Sequence, residues 1–271
     1  MGTHECQRHP SETAGEAMDF MEIARREVAQ PNCHQDFILN MDQTPIPFTF
    51  NSKRTLEVVG KKSVLTRKST SDTKRVTCAA TITASRKSLT PMLIFKGKPM
   101  GRIVRTEFPT YPQGVVYACQ DNAWMDEHCM MEWVEKVLQP YVLDAPDHIV
   151  PVLYLNSYCC HMMASVVESI QELGVEVKHI PGGCTSLCQP VDIGYNKPLK
   201  SRMRESWEAW MIAEGLLNNK TAPPTRELIC DWLLQSVNAI PEQFIFNAWR
   251  HVNYIWFPAI CAPPPQPTVG V

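Results

Sequence analysis

Three polar side chains far apart in the sequence, Asp42, Asn156 and Asp192, invite a chemical reading. FILNM (37–41) runs into Asp42, and HIVPVLYL (148–155) delivers Asn156. The strand VEVKHI leads through the loop PGGCTSLCQPVD to Asp192, just ahead of a long helical stretch. Side chains at strand ends can converge on one sheet edge. Three carboxylates gathered there would suit two hard divalent cations, Mg2+ or Mn2+, that activate a water and stabilise the leaving oxygen of a phosphodiester. Acids at strand ends are frequent, so the spacing alone does not establish that chemistry, and the middle position is an amide. Asparagine in place of aspartate removes one negative charge and leaves a neutral carbonyl that cannot bridge two cations as a carboxylate does. Metal binding through Asp42 and Asp192 is therefore expected to be weak or absent.

The elements that would position these residues follow from periodicity. Residues 11–30 read as one amphipathic helix ending near Pro31. FILNM reads as a short buried strand stopped at Asp42 by the prolines of QTPIP. RVTCAATIT (75–83) and PMLIF (91–95) make a hairpin. In DNAWMDEHCMMEWVEKVLQP, Asp121 or Asn122 caps a helix whose inner face is Met130, Trp133, Val134 and Val137. The strands at 148–155 and 175–180 flank the helix ASVVESIQELG, a crossover that makes them parallel neighbours. NKPLKSRMRESWEAWMIAEG reads as a long helix with Leu199, Met203, Trp207 and Met211 inward. The expected fold class is α/β. Residues 1–36 form a helical lead-in, 37–220 the main domain, 221–257 a helical C-terminal extension and 258–271 a disordered proline-rich tail.

At 44% hydrophobic and 20% charged, a chain of 271 residues is globular in composition. It has no run of about eighteen apolar residues and no secretory signal, so a soluble intracellular protein without a membrane partner is expected. The eleven cysteines are scattered through apolar stretches and read as reduced, mostly buried thiols. Cys159, Cys160, His161, His179, Cys184 and Cys188 lack the paired spacing of a zinc site. His161 reads as a satisfied structural histidine, with a phosphate or metal-site contact as its alternative. The tryptophans at 207, 210, 232, 249 and 256 fall at helical core spacing, which favours packing over base stacking.

The net charge of −2 hides an asymmetry. Residues 51–105 hold fourteen Lys and Arg against two acids, Glu57 and Asp72, for a local charge of +12. Such a band attracts polyanions through phosphate contacts and counterion release. Lys53, Arg54, Lys61, Lys62, Arg67, Lys68, Lys74 and Arg75 are the residues expected to bind nucleic acid.

The segments NMDQTP (40–45), WMDEHCMMEWVEKVLQPY (124–141), LYLNSYCCH (153–161) and, above all, GGCTSLCQPVDIGYNKPLKSRMRE (182–205) resemble the DDE superfamily domain of pogo and Tigger-type transposases. The resemblance extends more loosely to NAWRH and WFP, over about residues 20–257. It implies an RNase H-like mixed sheet flanked by helices and a two-metal site that cleaves and joins DNA in the nucleus. The family's first acid falls on Asp42, its third on Asp192 and its second on Asn156, a degenerate catalytic position separated from Asp192 by thirty-five residues. Only about forty residues precede Asp42, too few for the family's helix-turn-helix modules, so terminal-repeat recognition is expected to lie outside this chain. Three functions fit: a largely inactive DNA-binding domain derived from a transposase, a working metal-dependent endonuclease or strand transferase, and an interaction module or relic. DNA is the expected partner, and self-association into a homo-oligomer is left open.

Overall fold

The computed structural model describes residues 10–50, 74–218 and 223–255. Lys53, Arg54, Lys61, Lys62, Arg67, Lys68, Trp256 and the proline-rich tail at 258–271 lie outside the described residues. The elements run α1 (Pro10–Val28), β1 (Ile38–Pro47), β2 (Arg75–Thr83), β3 (Met92–Lys96), β4 (Val116–Gln120), α2 (Glu127–Trp133), α3 (Gln139–Val142), β5 (Val152–Asn156), α4 (Ala164–Glu172), β6 (Glu176–Ile180), α5 (Thr185–Cys188), α6 (Asn196–Asn218), α7 (Arg226–Asn238) and α8 (Glu242–Val252). The strands form one six-stranded sheet in the order β4-β3-β2-β1-β5-β6. β1 pairs antiparallel with β2 and parallel with β5, and the crossover through α4 makes β5 and β6 parallel, as its length requires.

Alternation along the strands sorts two cores. Ile38 and Ile46 of β1, Cys78 and Ala80 of β2 and Tyr154 of β5 face α1, α6, α7 and α8. Leu39, Met41, Ala79, Leu153 and Leu155 face α2, α3 and α4, where Met130, Trp133, Val134 and Val137 are all buried. Trp249 and Trp232 are buried in the first core, and Trp207 and Trp210 are packed against it, so the described tryptophans at helical spacing act as packing residues. The N-terminal helix belongs to the same core: Ala17 and Ala24 are buried, and Phe20 packs edge-on against Tyr154 at 6.2 Å.

Four details differ from the sequence expectation, each for a physical reason. β1 does not stop at Asp42 but runs through Pro45 to Pro47. The Phe48 N–H donates to the Lys74 carbonyl (3.0 Å), which points the N–H groups of even-numbered residues at β2 and those of odd-numbered residues toward β5. Pairing with β5 ends at Asn40, so the two prolines lack an N–H only where no strand needs one. The strand β4, five residues on the sheet edge beside β3, carries too short a signal to be read from sequence. The helix after it is capped by Asp126, which accepts from the Cys129 N–H (2.9 Å), rather than by Asp121 or Asn122. Met211 is 38% exposed rather than inward, because its neighbour Trp210 takes the inner place on that turn, 6.0 Å from the Trp232 ring.

α8 closes tightly on the turn that leads into α6. A Cβ built on Gly194 would lie 2.5 Å from Ala248 Cβ and 3.1 Å from the Phe244 carbonyl oxygen. Gly194→Ala should therefore cost about 1–3 kcal/mol by overpacking, read as a lower urea midpoint. An unchanged midpoint would show that α8 yields freely there.

Candidate metal and nucleic-acid site

Asp42 lies on β1 five residues after Phe37, and extending the β1–β5 register by two residues sets it beside Asn156. Both side chains stand on the sheet face covered by α6. The Asn156 Nδ2 donates to Asp42 Oδ1 at 3.1 Å. Asp192 arrives from the other side, in a wide helical turn (Val191–Tyr195) that continues into α6. Two residues invisible to a search for acids organise this turn, one tying it to the sheet and one orienting Asp192. Asn40, fully buried, accepts from the Val191 N–H (2.9 Å) through Oδ1 and donates to the Tyr154 carbonyl (2.9 Å) through Nδ2, tying β1, β5 and the turn together. Asn196, one helical turn after Asp192, donates to Asp192 Oδ1 at 2.8 Å. The N in NMD was the only sequence signal for Asn40.

Asp42 is 5% exposed, and burial holds its carboxyl well above the usual carboxylate range. Repulsion from the Asp192 carboxylate adds to the rise, and Asp192 also favours the protonated form as a hydrogen-bond partner. The Gln43 backbone N–H opposes the shift, as does the nearby Gln189 amide, which falls short of good hydrogen-bond geometry. Asn156 Oδ1, Asn196 Oδ1 and both polar atoms of the Gln189 amide are buried around this pair without partners. Buried unpaired polar atoms are rare, and their concentration here marks a polar site rather than a packed core.

A raised pKa in the folded state fixes the sign of a pH effect. The stabilising contribution of protonated Asp42 is fully present below the unfolded carboxyl pKa near ~4 and is lost as the pH rises through the higher folded value. Asp42→Asn keeps an oxygen to accept from Asn156 and removes the titration. In metal-free buffer, the difference in stability between this variant and the natural chain should grow with rising pH in the variant's favour, by at most about 1.4 kcal/mol per pH unit. Parallel stability curves for the two proteins would contradict the buried, raised carboxyl.

His161 is fully buried behind the site. Its Nδ1 is 3.0 Å from the Asn156 carbonyl oxygen and its Nε2 is 2.6 Å from Gln43 Nε2. With Nδ1–H donating to the carbonyl, Nε2 accepts from the Gln43 amide, and burial lowers the imidazole to about 4, so it is neutral. It is a satisfied histidine that fixes the backbone at the β5 tip. Among the described residues no three His, Cys, Asp or Glu side chains cluster as metal ligands, and the nine described cysteines are free thiols.

Asp192 opens into a groove of about 560 Å3 lined by Thr44, Asn196, Lys197, Lys200, Ser201 and Arg204. Three cations thus stand beside the exposed acid, on α6 rather than in the 51–105 band. The spacing of Lys197, Lys200 and Arg204 by three and four residues in NKPLKSRMR was the signal for one basic helix face. Of the eight residues expected to bind nucleic acid, Lys74 and Arg75 lie within the described part, exposed at the start of β2, opposite the end of β1 and not beside the acids.

The family described as DDE superfamily endonuclease matches residues 73–249, more than half of the chain, beginning after Asp42. Over 216 residues the chain is 28% identical to "Pogo transposable element with KRAB domain" of Mus musculus and 27% identical to the Homo sapiens protein of that name. Those matches take in 78% of this chain but about a third, 34%, of each relative. Among solved structures, a Mos1 mariner paired end complex with Mn is 12% identical with a TM-score of 0.59, covering 93% of this chain and 63% of that one. The Mos1 transposase catalytic domain with Raltegravir and Mn is 10% identical with a TM-score of 0.53, over 92% of both chains. That likeness shows the fold, an RNase H-like mixed sheet flanked by helices with further helices at its C-terminal end. Matched across most of its sheet and helices, the chain belongs to the DDE superfamily endonuclease family.

Proposed function

We propose that this chain is a DNA-binding domain derived from a DDE transposase, with its phosphodiester chemistry impaired at Asn156. The observation that carries this reading is the hydrogen bond from Asn156 Nδ2 to Asp42 Oδ1. Where a carboxylate would face Asp42 and call for a cation between them, an amide N–H satisfies the buried oxygen with no metal. The donor set fits one hard cation better than two: Asp42 and Asp192 would hold it, with the unpartnered Asn156 Oδ1 as a neutral third oxygen. Such an ion, when bound, would supply Lewis-acid stabilisation to a phosphodiester oxygen. The chain's own contribution is binding: Lys197, Lys200 and Arg204 line a groove that suits a phosphate backbone and hold it against Asp192. The Mos1 structures include paired end complexes with Mn or Mg and one with a left transposon end, which supports DNA as the ligand and either ion as the metal. A DNA ligand also supports a nuclear location.

The second reading, a working endonuclease, is favoured by the orphaned Asn156 Oδ1, an oxygen already buried at the site. Incubation of the natural chain with supercoiled DNA and Mn2+ or Mg2+ separates the two. Binding without nicking is the expected result, and metal-dependent nicking by protein verified as Asn156 would favour the second reading.

A further inference from the structure

A second cavity, of about 860 Å3, lies on the same sheet edge as the acids but farther out and toward β4, where β1 ends, β2 begins and β3 and β4 end. It combines cations with an aromatic ring in the open. Lys74, Arg75 and Lys96 are exposed on its rim, while Arg226 is held by both Glu107 oxygens at 3.1 and 3.3 Å. Trp124 is 52% exposed, with the Arg75 guanidinium 5.9 Å from its ring centroid. Phe48, Pro223 and Pro224 add apolar wall, and the exposed Asn122 adds hydrogen-bonding capacity.

The loop that presents the indole is braced. Gln120 Oε1 accepts from the backbone N–H groups of Asn122 (2.6 Å) and Trp124 (3.1 Å), and Thr77 Oγ1 donates to the Ala123 carbonyl (2.6 Å). Ala123 between them is left-handed at φ 57°, a conformation unfavourable for a residue with a Cβ. A tryptophan that served only packing would be turned inward, as Trp133 is. Here a strained, hydrogen-bonded loop holds the ring in solvent among three cations, and such strain concentrates at ligand-binding positions.

Resting on the DNA-binding reading above, we infer that this cavity receives an unpaired nucleotide of the bound DNA. Its base stacks on Trp124, Asn122 meets the base edge, and the flanking phosphates lie on Lys74, Arg75 and Lys96. A base in a duplex has both faces covered, so only an unpaired one offers a face to the indole. Pro47 lies five residues beyond Asp42 along β1, roughly 17 Å, and β4, which leads to Trp124, lies three strands to the side, roughly 14 Å. The unpaired position would therefore sit about six to seven nucleotides, at ~3.4 Å each, from the phosphate nearest the acids.

The test compares the 271-residue protein on a 25-base-pair duplex and on the same duplex with one unpaired central thymine, by fluorescence anisotropy at about 0.1 M salt. The expected result is binding about 10-fold tighter to the bulged duplex. Trp124→Ala should bind the two DNAs alike, Trp124→Phe should retain most of the preference, and Met100→Ala, exposed outside the cavity, should keep all of it. Thermal melts check that each variant folds, as the exposure of the ring leads one to expect. Equal binding of both DNAs by the natural chain, or a preference that survives in Trp124→Ala, would overturn the inference while leaving DNA binding intact. Failure to bind either DNA would overturn this inference and the DNA-binding reading together.

Discussion

Asn156→Asp should convert a chain that binds DNA into one that nicks it with Mn2+ or Mg2+, raising the rate by on the order of 100-fold or more over the natural protein. The exchange keeps the side-chain size, so the register of β5 beside β1 is undisturbed, and the large change is electrostatic. It removes the N–H that now satisfies Asp42 Oδ1 and sets a third carboxylate against a pair whose mutual repulsion already raises Asp42. Without metal the variant should lose about 1–3 kcal/mol, the penalty for an unsatisfied buried partner. Metal reverses the sign: at a hundredfold excess over Kd, linkage adds about 2.7 kcal/mol. Mn2+ should thus raise the melting temperature of the variant well above any shift in the natural chain. Asn156 precedes Ser157, a deamidation-prone pair in an aged sample, so mass spectrometry of the natural protein belongs to the experiment. Natural chain confirmed as Asn and cutting as fast as the variant would establish the amide as a sufficient ligand. If neither cuts, the impairment extends beyond one side chain.

Reversing Lys61, Lys62, Arg67 and Lys68 to glutamate should abolish most DNA affinity. These four belong to the most cationic stretch of the sequence, and four to six phosphate contacts give a slope of log K against log salt of about −4 to −5. Removing four contacts should flatten the slope by about 3 to 4 as well as weakening binding, a signature that misfolding would not produce. A parallel reversal of Lys197, Lys200 and Arg204 tests the helix groove beside Asp192. If that triple change costs more than the quadruple one, the band is not the main contact and the affinity resides on α6. Unchanged affinity after both would remove the electrostatic argument altogether.

Much of the architecture was legible because its signals are local. The apolar run at 152–155 and the β-favouring VEVKHI, with a helix between them, dictate a parallel pair, and the period-two character of RVTCAATIT gives β2. The quoted motifs pointed to the family, which the match over 73–249 bears out. What failed were features whose meaning depends on neighbours. Pro45 and Pro47 read as strand breakers until the unpaired edge of β1 is known. Asp121 and Asn122 look like caps until the Gln120 side chain is seen to bind that loop's backbone instead.

The amino-acid sequence by itself determined the order of the main strands and helices other than β4, the cationic asymmetry and the amide at position 156, because each is a property of residue type and short-range pattern. Only the tertiary structure decided that Asn156 donates to Asp42, that burial and Asp192 together raise that carboxyl, that Asn40 ties the Asp192 turn to the sheet, and that Trp124 faces solvent among cations. Those are contacts across more than a hundred residues, or a matter of which face of a packed element meets water. Hydrogen bonding and desolvation act through distance in space, which spacing along a chain does not encode.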